Sequence, residues 1–356
     1  DVYDRHARRF AQRIRSLDGN AEQYADHRAV LDRDDIDYVL ITTPEHSHAY
    51  LTLDALDAGK HVYVEKPMTH TIKEAQDVLA KVAETGLQVQ VGVQGMADDS
   101  YSSAREAIRA GKIGSVVQAQ IDYVRDYQGS GPWRTGHTSD EPKPDGLDWV
   151  AWQRPAKQVP WDARRYHDWR CYSDYSGGIA TDLFIHRLTR LLKACDLGYP
   201  NQVVGMGGIY TWPDGRDLPD SFEMMAEYGP IEGITEGMTL HVLGTMANDR
   251  GNDHLIRGTR GTLRFNSRGW EIANEDGEVI ETHRKTGGED VDPHHRNHHA
   301  AIREGVPLYC PPELGAYGVV AVVMANVSCA RKRMLAWDHA QGRVLADWWG
   351  ADGPEA

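Results

Sequence analysis

The sequence predicts an α/β protein in which a doubly wound parallel sheet is followed by an α+β domain with a largely antiparallel, open sheet. Two observations support this prediction. Over the first 113 residues, helical stretches alternate with short apolar runs, which is typical of a parallel sheet with helices on both faces. After Gly114, one strand-like run follows another, which indicates an antiparallel sheet. We expect two domains, over residues 1–118 and 119–356.

The elements of the first domain are predicted from apolar runs and helix signals. Residues 37–43 form a continuous apolar run that a proline closes, as expected for a strand covered on both faces. A helix over 71–85 begins at Thr71 with Glu74 three residues later, the pattern of a capping box, and it stops at Gly86. The other predicted elements are helices over 7–17, 48–58 and 101–110 and strands over 61–64 and 88–93.

The second domain is predicted from strand-like runs that turns separate. An irregular loop over 127–148 and an aromatic stretch over 149–175 come before a long helix that Gly177-Gly178 opens. The predicted elements are strands over 116–125, 203–210, 222–228, 238–243, 254–257, 261–265 and 278–282 and helices over 177–197, 294–304 and 314–332.

Composition narrows the possible partners. The chain has 356 residues, enough for two domains with separate cores, and a formal net charge of −14. Nucleic acids and membrane surfaces attract basic proteins, so neither is an expected partner. No run approaches the roughly 20 apolar residues of a membrane helix. An anionic cofactor would therefore be held by local backbone amides and helix ends.

The cysteines do not indicate a metal site or a disulfide framework. They are scattered without metal-ligand spacing, at Cys171, Cys195, Cys310 and Cys329. This arrangement fits a reducing compartment. We expect a cytoplasmic protein by default, with export to the periplasm as the alternative.

The tripeptide Glu65-Lys66-Pro67 follows the predicted strand 61–64. Ligands of open α/β sheets bind beyond the carboxyl ends of the strands, so Lys66 stands where a substrate is bound. Its ammonium group could hold a substrate oxygen or move the proton of that oxygen. A plain surface turn is the alternative interpretation.

Asp182 and His186 are four residues apart on the predicted helix 177–197, so we expect them on one face of that helix. A carboxylate beside an imidazole fixes the tautomer and raises the pKa of the ring, which suits a proton shuttle near neutral pH. The alternative is an ordinary pair on the helix surface.

Residues 42–48 end one predicted strand and begin the next helix. Small hydroxyl groups and free helix-start amides at this edge of a sheet suit a phosphate or a ribose, although a simple helix cap has the same composition. Near the end of the chain, two pairs of histidines have a spacing that could bind a metal, but no further ligand is placed beside them, so a metal site is not predicted. These histidines are His294, His295, His298 and His299.

Together these segments resemble the glucose–fructose oxidoreductase, inositol dehydrogenase and rhizopine-catabolism (Gfo/Idh/MocA) family over nearly the whole chain. Residues 37–48 (DYVLITTPEHSH) are similar to the strand and turn under the family's cofactor. Residues 61–67 (HVYVEKP) and 175–186 (YSGGIATDLFIH) are similar to its two signatures, in the same order. Residues 295–304 (HRNHHAAIRE) and Trp337-Asp338 also fit.

The resemblance implies an enzyme that transfers a hydride between a nicotinamide cofactor and a sugar, a polyol or a related hydroxyl compound. NAD is the expected cofactor, and NADP is the less favoured alternative. It implies that residues 1–118 bind the dinucleotide and that residues 119–356 bind substrate and form oligomers. We expect His186, oriented by Asp182, to accept the hydroxyl proton while Lys66 holds the same oxygen, or these two roles exchanged. The expected cofactor-binding residues are Asp1, Thr42, Thr43, Pro44, His46, His48, Glu65, Lys66 and Gln94.

One part of the family pattern is missing. A member opens with a strand, a Gly-x-Gly-x-x-Gly turn and a helix, whereas here the first helix begins within the first ten residues. Asp1 stands where an acidic residue would end the family's second strand, and it would accept hydrogen bonds from the adenosine ribose and so favour NAD over NADP. We expect an N-terminally truncated Rossmann-type domain, and weak or no NAD binding by this polypeptide alone.

The resemblance leaves two further functions open: an NAD-dependent glycoside hydrolase or lyase, and a non-catalytic cofactor-sensing protein. Expected partners are a small sugar or polyol and a second copy of the chain, as a homodimer or homotetramer, because the open sheet has an apolar face to cover. Aromatic rings suit the faces of sugars, although many of these rings must form core. The expected substrate-binding residues are Tyr166, Arg170 and Tyr175.

Overall fold

The computed structural model describes residues 1–127, 129 and 131–345. Residues 128 and 130 of the predicted loop, and residues 346–356 of the predicted second domain, lie outside this part of the chain. A three-stranded parallel sheet comes first and a larger, mainly antiparallel sheet follows. The predicted fold class is therefore confirmed, while the domain boundary at residue 118 stays a prediction.

The first sheet pairs three strands in parallel in chain order: β1 (Tyr38–Ile41), β2 (His61–Glu65) and β3 (Val89–Gly92). The helices of this part of the chain are α1 (Asp4–Arg15), α2 (Arg28–Leu31), α3 (His48–Asp57), α4 (Ile72–Thr85) and α5 (Ser100–Arg109). Helix α4 begins with the predicted capping box between Thr71 and Glu74 and ends at Gly86, whose φ of 66° is left-handed. Because the strands are parallel, the residues after each strand meet at one edge.

Strand β1 differs from its prediction. It lies at the edge of the first sheet, and Leu40 is 50% exposed. A continuous apolar run was expected to be covered on both faces, but such a run does not determine how many neighbours the strand finds. The side chains of β1 are therefore only partly covered.

In the part of the chain that the structure describes, the second sheet contains eleven strands. They are β4 (Val116–Asp126), β5 (Gln202–Gly208), β6 (Ser221–Tyr228), β7 (Met238–Thr245), β8 (Ala247–Asn248), β9 (Leu255–Gly258), β10 (Gly261–Asn266), β11 (Gly269–Asn274), β12 (Val279–Arg284), β13 (Leu335–Asp338) and β14 (Arg343–Leu345). Their order is β12-β11-β10-β9-β4-β7-β6-β5-β13-β14, with β8 beside β4. The β4–β7 pair is parallel, and the other pairs are antiparallel.

The remaining helices are α6 (Trp149–Trp152), α7 (Ala163–His167), α8 (Ile185–Ala194), α9 (Val291–Glu304) and α10 (Pro312–Arg331). Helices α8 and α10 contribute buried side chains to the core that covers one face of the second sheet. Helix α10 also contacts β3 and α4, so it joins the two sheets.

Helix α10 corrects the expectation that no run is apolar enough to span a membrane. Its 20 residues pass such a test by length and composition, with a mean hydropathy of 1.5 over the most apolar window. More than half of that window, 56%, is buried inside the protein, where the helix packs against α4, α8 and β5. The apolar sequence is explained by a helix that is covered by two sheets.

Four strands, β8, β11, β13 and β14, were not among the predicted elements. Strand β11 lies between two short turns and pairs with β10 and β12, and its Trp270 and Ile272 point into the core. The alternation of apolar and polar residues covers only six positions, with glycine and asparagine at its ends, so the sequence pattern does not indicate a strand here. Strand β13 follows α10 directly and pairs with β5, and no local pattern indicates that partner.

Candidate active site

The ammonium group of Lys66 meets Asp182 where the two sheets come together. Lys66 follows the last residue of β2, and its Nζ lies 2.8 Å from Asp182 Oδ1 and donates to the Asp182 carbonyl at 2.7 Å. The two residues are 116 positions apart in the chain. Both side chains are largely buried, with 12% and 9% of their surfaces exposed. The fold therefore brings together the two signatures that the sequence places in different domains.

Arg170 completes this cluster. Its Nε donates to the same Asp182 oxygen at 3.0 Å, and its guanidinium lies over the Trp169 ring, 4.2 Å from the centroid. Burial alone would raise the pKa of Asp182, but the charges of Lys66 and Arg170 outweigh it and hold that pKa below its ordinary value. Asp182 is thus an anion between two cations.

The helix that carries Asp182 and His186 is not continuous. Ile179–Phe184 forms a π-helical turn, and α8 begins only at Ile185. Asp182 therefore lies in the wider π-helical turn and His186 in the first turn of α8. Among the described residues, the side-chain donors to the Asp182 carboxylate are Lys66 and Arg170, not His186. The prediction that Asp182 orients His186 is therefore wrong.

His186 is neutral in this environment. Burial lowers the pKa of His186 to about 3, and the charge of Lys66 acts in the same direction, whereas Asp182 opposes both. The sequence-based expectation was a raised pKa, which required a more exposed ring beside a carboxylate that is free. The ring lies near Tyr123, with 6.3 Å between the centroids.

Residues 42–48 form the turn after β1, and two histidines of this turn contact backbone carbonyl groups in the interior of the protein. His48 Nδ1 lies 2.7 Å from the Pro67 carbonyl and its Nε2 lies 2.7 Å from the Thr43 carbonyl. Burial lowers the pKa of His48 to about 4, so the ring is neutral and donates to one carbonyl at a time. It joins this turn to the turn that carries Lys66.

His46 is also internal. Its Nε2 lies 2.9 Å from the Trp152 carbonyl, and burial lowers its pKa to about 4. Neither His46 nor His48 lines the neighbouring cleft. Both rings are buried in the interior of the protein, so direct contact of these two histidines with a cofactor is not supported.

A cleft of about 560 Å³ lies in front of the same turn, within the size range of cofactor sites. The Asp1 carboxylate accepts from the backbone N–H of Tyr3 at 2.9 Å, and the amino terminus donates to the Tyr24 carbonyl at 3.0 Å, which together fix Asp1 at the rim. Hydroxyl groups and a carboxylate are suitable partners for ribose hydroxyls, so the lining fits part of a dinucleotide. Five predicted site residues line the cleft: Asp1, Thr42, Thr43, Pro44 and Tyr166.

Glu65 and Gln94 lie at the same edge of the first sheet. Glu65 is the last residue of β2, and burial raises its pKa. A Cβ atom at Gly92, the last residue of β3, would lie 2.9 Å from Glu65 Oε1, so glycine allows this close approach. Gln94 opens the short 3-10 turn that follows β3.

The aromatic stretch is mostly core. Tyr175 is fully buried, with its ring centroid 5.1 Å from that of His46 and 4.9 Å from that of Trp152. It does not line the cleft, and its contact with substrate stays a prediction. Tyr166 reaches the cleft and Arg170 reaches Asp182, which leaves these two as candidate ligand contacts.

The histidine pairs of α9 pack against the first sheet. His295 stacks on Tyr63 with centroids 4.2 Å apart, and His299 lies 3.0 Å from the Tyr38 hydroxyl. His294 and His298 are fully buried. Across the described residues, no three His, Cys, Asp or Glu side chains are grouped so that they could hold a metal ion.

Glu45 is a site residue that the sequence did not reveal. It follows Pro44 in the turn after β1, yet its side chain is 1% exposed and accepts hydrogen bonds from residues 131 to 136 positions later. An acidic residue at a helix start is ordinary, because it also favours the helix dipole. Only the tertiary structure shows that this carboxylate is internal.

Comparison with known proteins finds one matching family model and several similar proteins. Residues 1–93 match the model of GFO_IDH_MocA, an oxidoreductase family with an NAD-binding Rossmann fold. The chain is 36% identical over 126 residues to scyllo-inositol 2-dehydrogenase (NAD(+)) from Bacillus subtilis, which covers 33% of this chain and 36% of that protein. It is 28% identical over 121 residues to alpha-N-acetylgalactosaminidase from Shewanella oneidensis, covering 31% of this chain and 26% of that protein.

A solved structure extends the match to the whole fold. Levoglucosan dehydrogenase in complex with NADH and levoglucosan aligns with a TM-score of 0.68 over 94% of this chain and 89% of that chain, at 19% identity. The chain spans about a third of the length of the Bacillus relative and about a quarter of the Shewanella relative. The two signatures, the matching family model and the shared fold agree with one another. Residues 1–93 thus match an oxidoreductase family with an NAD-binding Rossmann fold, and the chain as a whole shares the fold of levoglucosan dehydrogenase.

Proposed function

We propose that this protein is an NAD-dependent oxidoreductase that acts on a hydroxyl carbon of a sugar, a polyol or a related compound. The observation that supports this most is the meeting of Lys66 with Asp182, beside the neutral His186, at the carboxyl edge of the first sheet. The bound cofactor supplies the hydride acceptor. The similarity to scyllo-inositol 2-dehydrogenase (NAD(+)) supports the choice of substrate class.

The residues of the site would act on the hydroxyl group of the substrate. The Lys66 ammonium donates a hydrogen bond to the hydroxyl oxygen, which stabilises negative charge as the proton leaves. His186 is neutral before the reaction, and we propose that it accepts that proton, although burial and the charge of Lys66 disfavour its protonated form. Asp182 positions the Lys66 amine through two contacts and balances part of its charge.

The cofactor would be held along the turn after β1. Thr42 and Thr43 offer hydroxyl groups, and Asp1 offers a carboxylate at the rim of the same cleft. A carboxylate accepts from ribose hydroxyls and repels a 2′-phosphate, so we propose NAD rather than NADP.

A direct assay tests the proposed function. The purified chain is incubated with a panel of inositols, aldoses and anhydrosugars, and NADH is measured by its absorbance. NAD is supplied at millimolar concentration, because weak NAD binding is expected of this polypeptide alone. NADH formation with at least one compound is expected. If no compound supports turnover although NADH binding is detected by calorimetry, the proposed activity is wrong.

A glycosidase of the same family is the second candidate, which the similarity to alpha-N-acetylgalactosaminidase favours. Aryl glycosides incubated without added NAD distinguish the two functions. Release of the phenol would favour the glycosidase, and NADH formation from free polyols without phenol release would favour the dehydrogenase.

We also propose that two copies pair through the open face of the second sheet. Met206 on β5 and Met225 on β6 are 72% and 48% exposed, whereas the opposite face of these strands is core. Exposed apolar residues on neighbouring strands of a sheet indicate an interface. Light scattering should give a dimer or tetramer mass for the protein and a monomer mass for Met225→Glu, while a monomeric unmutated protein would contradict the proposal.

A further inference from the structure

We propose that Glu45 is a positioning residue that fixes the π-helical turn of Asp182 against Lys66. Glu45 opens the 3-10 turn Glu45–Ser47 after β1, between the candidate cofactor-binding turn and α3. This inference stands on the geometry of the chain, so it does not require that the proposed activity be correct.

The carboxylate of Glu45 accepts three hydrogen bonds from the segment that carries Asp182. Ser176 Oγ donates to Oε1 at 2.8 Å, and the backbone N–H of Gly177 donates to Oε2 at 3.1 Å. Thr181 Oγ1 donates to Oε2 at 2.6 Å. These donors surround the start of the π-helical turn, so one side chain of the first domain holds that turn at several points.

Thr181 transmits this constraint to the candidate catalytic pair. It directly precedes Asp182, whose carbonyl and carboxylate both contact Lys66 Nζ. Glu45 and Lys66 therefore hold neighbouring residues of one turn, from two different strand ends of the first sheet. Movement of Thr181 away from Glu45 would move Asp182 relative to the Lys66 amine.

The burial of Glu45 supports a geometric role. Its side chain is 1% exposed, and removing a carboxylate from water is costly unless hydrogen bonds compensate. Burial raises the pKa of Glu45, and the nearby charge of Asp182 acts in the same direction. An apolar side chain would fill this volume without that cost, so the contribution of Glu45 lies in the hydrogen bonds that it accepts.

Glu45 also connects this turn to the cleft. Ser47, in the same 3-10 turn, donates to Thr43 Oγ1 at 2.7 Å, and both residues line the cleft. The residues proposed to hold the cofactor and the residues that hold Asp182 thus belong to one hydrogen-bonded unit.

The test measures the reactivity of Lys66 in the whole chain, without substrate or cofactor. Trace acetic anhydride labels lysines at a rate that falls when the amine is held in an ion pair, and mass spectrometry reports each position. In Glu45→Leu, labelling of Lys66 should rise about tenfold, since a charge-assisted hydrogen bond is loosened. In Glu45→Gln it should stay near the original rate, because the amide keeps an oxygen toward Thr181 and can donate to Ser176.

Internal and external controls separate positioning from unfolding. Lys60, buried and bonded to the Arg33 carbonyl at 2.8 Å, reports on the first domain, and Lys193 reports on the second. Both rates should stay constant in every variant. Asp220→Asn is the matched control, since Asp220 is also fully buried and accepts from three backbone N–H groups, none of which belongs to the segment that carries Asp182.

The outcomes decide the inference. An unchanged Lys66 rate in Glu45→Leu, or an equal rise in Glu45→Gln, would overturn it. If Glu45→Leu raises the labelling of Lys60 and Lys193 as well, Thr181→Val takes its place. This substitution keeps the volume of the side chain and removes only its hydroxyl group, which donates to Glu45 Oε2 and accepts from the backbone N–H of Gly177. A selective rise at Lys66 in Thr181→Val supports the positioning role, and no rise there contradicts it.

Discussion

One oxygen atom of Asp182 accepts from both Lys66 and Arg170, and this contact defines the site at the scale of residues. The sequence predicted that Lys66, Asp182 and His186 belong together, because each lies in a family signature. It could not predict which of these side chains contact one another. Side-chain partners depend on the rotation of a helix and on the approach of a distant arginine, neither of which leaves a local pattern.

Replacement of Lys66 tests its role in chemistry. Lys66→Ala should lower kcat by roughly 100- to 10,000-fold with the compound that the activity panel identifies, since the amine would act on the reacting oxygen. The dissociation constant for NADH should change little, because the cleft lining lies along another turn.

Lys73→Ala is the matched control for this variant. Lys73 is largely exposed and pairs with Asp77 on α4, so its loss should leave kcat unchanged. A Lys66→Ala protein with the original kcat would remove Lys66 from the reaction.

The low pKa of His186 predicts a flat pH profile. A histidine whose pKa is about 3 is deprotonated throughout the range from pH 5 to 9, so its ability to accept a proton does not fall as the pH drops from 8 to 5. The value of kcat/KM should therefore show no ionisation near 6.5. An acidic limb near pH 6.5 that disappears in His186→Gln would contradict this account.

At the scale of elements, the π-helical turn Ile179–Phe184 is the feature that could not be predicted from the sequence. The glycine pair and the apolar residues after it predict a helix, and α8 confirms the second half of that prediction. Residues of this turn make hydrogen bonds with Glu45 and Lys66, and helix propensity does not encode such tertiary contacts.

Gly177 is required by the packing of this turn. A Cβ atom there would lie 2.3 Å from Thr181 Cγ2 and 2.8 Å from Asn326 Nδ2, so Thr181 and the turn must shift. Gly177→Ala should lower the free energy of unfolding by about 1–3 kcal/mol, as overpacking does, and it should reduce kcat because Asp182 moves. Urea unfolding and steady-state kinetics measure the two effects.

Gly288→Ala is the control for the same chemical change. An added Cβ atom at Gly288 would meet no atom within 4 Å, so neither stability nor kcat should change by a comparable amount. Equal effects in both variants would show that the turn at Gly177 tolerates a methyl group.

At the scale of the whole molecule, the sequence predicted the two-sheet architecture well because strongly periodic segments determine it. Helix α4, strand β2 and the parallel order of the first sheet were all anticipated from capping residues and apolar runs. Burial was anticipated less well. Leu40 is exposed and Tyr175 is internal, because coverage depends on which distant elements pack on each surface.

Buried histidines make the fold sensitive to acid. His298 is fully buried, and burial lowers its pKa to about 4 from 6.5, so between these values the unfolded chain binds more protons than the folded chain. Stability should therefore fall as the pH drops from 7.5 to 5, by roughly 2 kcal/mol for this residue. Urea unfolding at both pH values should show a smaller loss for His298→Leu, and an identical loss would contradict the assignment.

The central claim is that an amine of the first domain and the segment that carries Asp182 and His186 in the second domain form one NAD-dependent site. A crystal structure of the chain soaked with millimolar NADH tests this most directly. The account predicts density for the dinucleotide along the cleft at Thr42 and Thr43, with the nicotinamide ring between Lys66 and His186. A dinucleotide bound elsewhere, or one whose nicotinamide ring does not approach Lys66, would contradict it.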